Sequence, residues 1–530
     1  MKKKSRRNKV KSKIIKKLGL SSYLKIALIL FFIFSSVSIN LKVVISNKRF
    51  IRNYKRNSNH ELNFTLNTKK SKKIYDENFR RYEKYENEKD YNKNTTCDNL
   101  DPINVFNLRL KNGPIEICKN EKTNHICYIN HEGYYNNIFV NKNGVLCTME
   151  NIVLDPSKLS KSNFVYRGPV DSKNKGFPIL TKGFFNTKCN PNPIKFDYSK
   201  KMYNFYFDSW DYDYNIENET EQLEELAPGK TVFFISRTQD SPNLFHGNCE
   251  MINIISMLYL FNLAPEEVQI VILSGIEIPE DPFYEMYKNM FSEGYDPINV
   301  NNLKKKYKIS KAINVPTNWD SPPFVYIPFP KCDSATRTYQ LYNDFVDKYM
   351  NLTKFNDTFI SNDVSYYYPE SIIKNHENGT KFTKIITMQW RKVWPEGRRG
   401  QFRILANAKN LADKLVQVLP KNFLVRLINT AALPYKDQIA LMRNTDYFIG
   451  IHGAGLALSI FLPKESIMHE IYREKVNDLL NLMSSLSGHL TYSDLIKSKR
   501  FMKEGSENIE FDENEFAQKV LEHMKENNFF

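Results

Sequence analysis

From Lys384 to Leu486 the sequence alternates short apolar runs with longer stretches of helical period. Lys384–Trp390, Phe423–Ile428, Tyr447–Ile451 and Ile467–Tyr472 read as strands. Between them, Phe402–Leu419 sets Ile404, Ala408, Leu411, Leu415 and Val418 on one stripe, Pro434 opens a helix running to Arg443, and Val476–Leu486 reads as another helix. Strands joined by helices over short links run parallel with right-handed crossovers, so an open α/β sheet is expected. A similar alternation starts near residue 230, with strands at Thr231–Ile235, Val268–Leu273 and Phe324–Ile327 and helices at Leu244–Leu263, Pro282–Ser292 and Arg337–Met350. The expected architecture is therefore two Rossmann-like α/β halves facing a cleft: an N-terminal half at 96–350, a loop-like linker at 351–381, and a C-terminal half at 382–530. In such sheets ligands sit at the carboxyl ends of the strands.

At 530 residues the chain exceeds one compact core, and 41% hydrophobic residues exclude wholesale disorder. Its net charge of +17 suggests nucleic acid until its distribution is read. Residues 1–25 carry +11 with no acid, residues 42–95 carry +8, and 96–530 is left at −2. The globular body is nearly neutral, which argues against a duplex-binding face. The uncharged run Ile26–Leu41, extended to 24–45, is long enough to span a bilayer behind the basic tail at 1–23. The positive side stays cytoplasmic, which predicts a single-pass type II protein of the Golgi or endoplasmic reticulum with a polar stem at 46–95 and a lumenal body. A cleaved signal peptide is the alternative, and the long basic segment before the apolar run argues against it. Six Asn-x-Ser/Thr acceptors, at Asn63, Asn94, Asn218, Asn351, Asn356 and Asn378, agree with a secretory route. All seven cysteines follow the apolar run, so several should pair, chiefly among the first five, leaving at least one free.

The segment Gly450-Ile-His452-Gly453-Ala454-Gly455-Leu456 ends a strand at a histidine and turns through two glycines into a helix. Backbone amides at such a turn can hold a diphosphate, with His452 as a further donor, or the glycines simply permit a tight turn. This stretch, with Phe461-Leu-Pro463 and Glu470-Ile-Tyr472 after it, resembles the signature of glycosyltransferase family 61. That family includes EGF-domain O-GlcNAc transferases, a protein O-mannose N-acetylglucosaminyltransferase and plant xylosyl- and arabinosyltransferases. Asn243-Leu-Phe-His246-Gly-Asn-Cys-Glu250 is similar to the family's Asn-x-x-His-x-x-x-Asp element, with Glu in place of Asp. Arg398-Arg399-Gly-Gln-Phe-Arg403 is similar to its arginine segment. The resemblance spans about residues 230–475 and implies a GT-B-like fold, a UDP-sugar co-substrate, inverting transfer, and no obligatory cofactor or bound metal.

The residue chemistry can be read beside that resemblance. Arg399 and Arg403, four apart at a helix mouth, would share a face and grip phosphate oxygens; a solvated basic loop is the competing account. His452, Gly453, Ala454 and Gly455 would complete the donor site, and Glu470 would accept from ribose hydroxyls unless it serves a salt bridge. His246 and Glu250 lie one turn apart on the opposite half, and either could deprotonate the acceptor. The competing account has His246 as a cap and Glu250 paired with a surface cation, while Asn243 reads as the helix cap. Asp211-Tyr-Asp213 resembles a manganese-binding Asp-x-Asp but fits a solvated loop better. Trp390-Arg-Lys-Val-Trp394 offers aromatic and cationic surfaces for uracil or an acceptor sugar, or packs at the cleft edge. The function that follows is transfer of a sugar, N-acetylglucosamine first among candidates, from a UDP donor to a protein or glycan hydroxyl. A pentosyltransferase and a catalytically silent carbohydrate-binding protein are the alternatives.

Overall fold

Phe423–Ile428 and Tyr447–Ile451 are buried along their whole length, as strands covered on both faces must be. They are central in a six-stranded sheet of the computed structural model, whose order is Tyr366–Tyr367, Phe423–Ile428, Lys384–Gln389, Tyr447–Ile451, Ile467–Tyr472, Leu490–Leu495. All neighbours are parallel except the first, an antiparallel edge. The structure describes residues 97, 100–111, 115–119, 123–129, 133–135, 138–140, 145–161, 178–189, 209–214, 223–236, 243–273, 283–291, 296–316, 332, 334–357, 366–390, 403–472, 479–503 and 506–530. Most fall in two mixed α/β layers, all within one compact unit, 75–530. The apolar run at 24–45, the stem and Phe324–Ile327 lie outside the described residues; among the described ones no helix is long and apolar enough to cross a membrane.

The other large sheet has the parallel strands Tyr307–Asn314, Thr231–Ser236, Val268–Leu273 and Ile298–Asn299, continued antiparallel through Val145–Leu154, Asn124–Ile129 and Ile115–Lys119. The α-helices among the described residues, numbered along the chain, are α1 (Pro102–Lys111), α2 (Leu244–Leu260), α3 (Tyr284–Met290), α4 (Arg337–Tyr349), α5 (Glu370–Glu377), α6 (Ala408–Val418), α7 (Tyr435–Arg443), α8 (Leu479–Leu486) and α9 (Glu513–Glu526). One core joins the halves: Phe245, Met251 and Ile255 of α2 and Tyr339 and Tyr342 of α4 pack with Ile439 of α7, Leu456 and Phe461 of the 3-10 helix Ala454–Phe461, and Leu482 of α8.

Several expectations are revised. The linker 351–381 contains a strand, Tyr366–Tyr367, and α5. Residues 403–405 are not the start of a helix but a strand parallel to Ser506–Phe511. Asn407 locks that pairing, donating from Nδ2 to the Phe511 carbonyl at 2.8 Å and accepting the Phe511 amide at 3.2 Å, and α6 begins only at Ala408. A pairing strand supplied from a hundred residues away thus overrides the helical period. Cysteine pairing is 118–189, 127–147 and 97–332, so Cys97 reaches beyond the first five cysteines; Cys249 is the buried free thiol.

Candidate functional site

Counted along the chain, the five parallel strands of the six-stranded sheet lie in the order 2-1-3-4-5. The connections leave strands 1 and 3 in opposite directions, opening a crevice beyond their carboxyl ends, where ligands bind in folds of this topology. Strand 1 ends at Gln389 and strand 3 at Ile451, so the crevice belongs to Trp390 and to His452 with its glycine turn.

His452 is 18% exposed at the side chain, and its Nδ1 meets Oε1 of Glu470, a carboxylate that is 1% exposed. Glu470 comes from the adjacent strand, where it pairs in register with Gly450. Its Oε2 accepts from Asn481 Nδ2 at 3.0 Å and from Ser493 Oγ at 3.1 Å. Both oxygens are therefore taken up within the chain, and Glu470 stands behind His452 instead of lying open toward a ribose. Gly453 has φ 155° and ψ 169°, a region open essentially to glycine. It leads into the eight-residue 3-10 helix Ala454–Phe461, whose first internal bond runs from the Leu456 amide to the Gly453 carbonyl. The amides of Ala454 and Gly455 precede that bond and find no acceptor inside the helix. Gly455 is required by close approach: a Cβ there would lie 1.9 Å from Gln389 Nε2, which donates to Thr430 Oγ1 at 2.9 Å.

On the other half, Asn243 caps α2 as expected, accepting from the amides of Phe245 and His246 at 3.1 and 3.4 Å. His246 is partly exposed in the first turn, and its ring lies edge-on to Phe245. Glu250 is not an outward-facing group. It is 4% exposed, with Tyr287 Oη donating to it at 3.4 Å. Between His246 and Glu250 lies Asn248, fully buried, whose Oδ1 accepts from Tyr342 Oη at 2.7 Å and from Tyr435 Oη at 2.8 Å while its Nδ2 donates to the Leu244 carbonyl at 2.8 Å. Burial pushes both phenols up, so they remain neutral donors. This node ties α2 to α4 and to α7, and α2 packs on the 3-10 helix that follows Gly453. The chain thus fastens the His246 and His452 elements to each other. The sequence reading did not single out Asn248, although it lies between the two residues it did.

Arg398 and Arg399 lie outside the described residues. Arg403 opens a strand, so the argument that it shares a helix face with Arg399 does not hold. Lys409 Nζ stands 5.5 Å from the Trp390 ring centre; Trp394 is outside the described residues. Trp210–Asp211 forms a short strand beside Phe185–Asn186, and Asp211 accepts the Asp213 amide at 3.2 Å, a local turn.

The family model described as Glycosyltransferase 61 matches residues 300–469, which include the His452 turn and stop short of Glu470 and of α2. Curated proteins named EGF domain-specific O-linked N-acetylglucosamine transferase are similar over short stretches. The Drosophila melanogaster protein is 38% identical over 77 residues, the Rattus norvegicus protein 36% over 77 and the Xenopus laevis protein 35% over 79. Each stretch spans 14% of this chain and 14% of the relative's length. Residues 300–469 of this chain are a glycosyltransferase family 61 region.

Proposed function

We propose that the protein is an inverting glycosyltransferase that moves a sugar from a UDP donor to a hydroxyl of a secretory-pathway glycoprotein, with two α/β halves in a GT-B-like arrangement. The supporting observation is the His452–Glu470 pair at the switch point of the sheet, followed by the glycine turn and its outermost amides. Departure of UDP develops charge on a diphosphate, and preorganised donors lower that cost. The amides of Ala454 and Gly455 serve as such donors. Glu470 holds the His452 ring through Nδ1, so a ring carrying a proton on each nitrogen would meet a phosphate oxygen with Nε2–H. Arg399 and Arg403 are proposed to add charge to this site. The partly exposed His246 is assigned to the acceptor side as the base, and buried Glu250 as a group positioning α2. N-acetylglucosamine is the first donor sugar to test, since the relatives that match carry it in their names. The basic tail and apolar run at 1–45 would anchor the body in a Golgi or endoplasmic reticulum membrane.

The test is thermal protection of the full chain by a panel of UDP-sugars, followed by UDP release with a secreted glycoprotein acceptor. Protection by one UDP-sugar and release that fails in His246→Ala support the reading. Protection without release indicates a binding protein, and no protection by any member of the panel removes the proposal.

A further inference from the structure

Alternate side chains of the strand Ile467–Tyr472 point to opposite faces of the sheet. Glu470 faces the His452 site, and its neighbour His469, fully buried, faces the other way. There its Nε2 lies 3.0 Å from Asp494 Oδ2, on the next strand, and that same oxygen lies 2.5 Å from His523 Nε2 on α9. The three ligating atoms are within 4.8 Å of one another. The side chains of His469, Asp494 and His523 are 0%, 16% and 10% exposed, so the group is largely enclosed, with Asp494 its most exposed member.

Hydrogen bonding among the three side chains leaves a misfit. His469 Nε2 is close to Asp494, yet among the described residues it has no properly directed hydrogen-bond partner. His523 Nδ1, 3.7 Å from the Glu526 carboxylate, is likewise buried with no hydrogen-bond partner among the described residues. With its proton at Nδ1, His469 donates to Tyr447 Oη at 3.2 Å. Its Nε2 lone pair then faces the Asp494 carboxylate at 3.0 Å, a contact that a cation held between the two would make favourable. Metal-binding histidines are held in this way, with the second nitrogen donating to an oxygen behind it.

We infer that His469, Asp494 and His523 form a divalent-cation site, chemically suited to zinc, that clamps α9 to the sheet directly behind the donor turn. Two imidazoles and a carboxylate match zinc's usual ligands, with water at the fourth position on the exposed side of Asp494. Tetrahedral ligands at zinc bond lengths lie about 3.3 Å apart, so the carboxylate needs to move outward by less than 1 Å. The other cluster of ligating types among the described residues, His125 with Cys127 and Cys147, is excluded because its two sulfurs form a disulfide.

The full chain, stripped by a chelator and dialysed against Zn²⁺ or the probe Co²⁺, should retain one equivalent by elemental analysis. Co²⁺ should show the visible absorption of a tetrahedral nitrogen and oxygen site, and Zn²⁺ should raise the unfolding temperature of the stripped protein. His523→Ala and Asp494→Asn should each weaken the metal at least ten-fold, while His452→Ala retains it. His523 lies on the C-terminal helix, so its variant reports on the site even where His469 variants fail to fold. No retained equivalent, or retention unchanged in both His523→Ala and Asp494→Asn as adventitious uptake would give, overturns the inference.

Discussion

Glu470→Gln exposes the logic of the donor turn. The buried carboxylate receives three donors, His452 Nδ1, Asn481 Nδ2 and Ser493 Oγ. An amide supplies only one oxygen. If that oxygen keeps Asn481 and Ser493, the new NH₂ faces His452 Nδ1, and the imidazole must change tautomer to accept from it. If it turns the other way, two buried donors lose their acceptor. Either outcome replaces a hydrogen bond to a charged acceptor, worth about 1.5–3 kcal/mol, by a weaker or missing one. The body should therefore lose roughly 1.5–3 kcal/mol in urea unfolding. Because the ring also loses the carboxylate that orients it and balances a second ring proton, affinity for the UDP donor should fall about ten-fold, equivalent to about 1.4 kcal/mol. Equilibrium unfolding and donor titration on the same preparation check both parts. A variant as stable as the parent, with unchanged donor affinity, would refute the claim that Glu470 holds His452 in place.

Three further outcomes follow from neighbouring packing. Gly455→Ala should destabilise by roughly 1–3 kcal/mol, because the methyl overlaps Gln389 Nε2 and displaces it from Thr430, and Gln389→Ala in the same chain should recover the part due to overlap but not the lost hydrogen bond; denaturant midpoints measure both. Asn248→Ala strands the Tyr342 and Tyr435 hydroxyls in the core and should cost roughly 2–5 kcal/mol, whereas removing both hydroxyls with Phe in the Ala background should restore part of it, a comparison that thermal unfolding can make. His489 is buried beside Arg443, and burial first and that charge second push it down to about 4 from 6.5. Its folded value is the lower one, so the unfolded chain binds the extra proton. Its share of stability is intact above pH 6.5 and is lost as pH falls toward 4, by about 3 kcal/mol at 1.36 kcal/mol per pH unit. His125, held down to about 3 by burial, adds a slope of the same sign, so the difference between parent and His489→Gln in pH-dependent unfolding isolates His489.

The parallel sheet was legible because its strands are local signals: Phe423–Ile428, Tyr447–Ile451 and Ile467–Tyr472 have the expected bounds, since runs buried on both faces are mostly apolar. The buried Arg426 inside the first of these was not anticipated as a core residue. It is satisfied by Asp357 at 2.8 Å through both carboxylate oxygens and by Thr387 Oγ1 at 2.9 Å, partners far away in sequence. The same distance effect hid the strand at Arg403–Leu405, whose pairing partner begins at Ser506. For the site, the glycine turn marks itself by composition, and so does the capping Asn243. Burial does not: Glu250 and Glu470 read as groups that could meet a ligand, and only the packing of α2 and of the last strands shows each enclosed.

The central claim is that the turn after Ile451 holds the diphosphate of a nucleotide sugar. Calorimetric titration of UDP into the full chain and into His452→Ala measures this directly. The account predicts saturable binding by the parent, at least ten-fold weaker in the variant at a temperature where both are folded. Equal UDP affinity in the two proteins, or none in either, contradicts it.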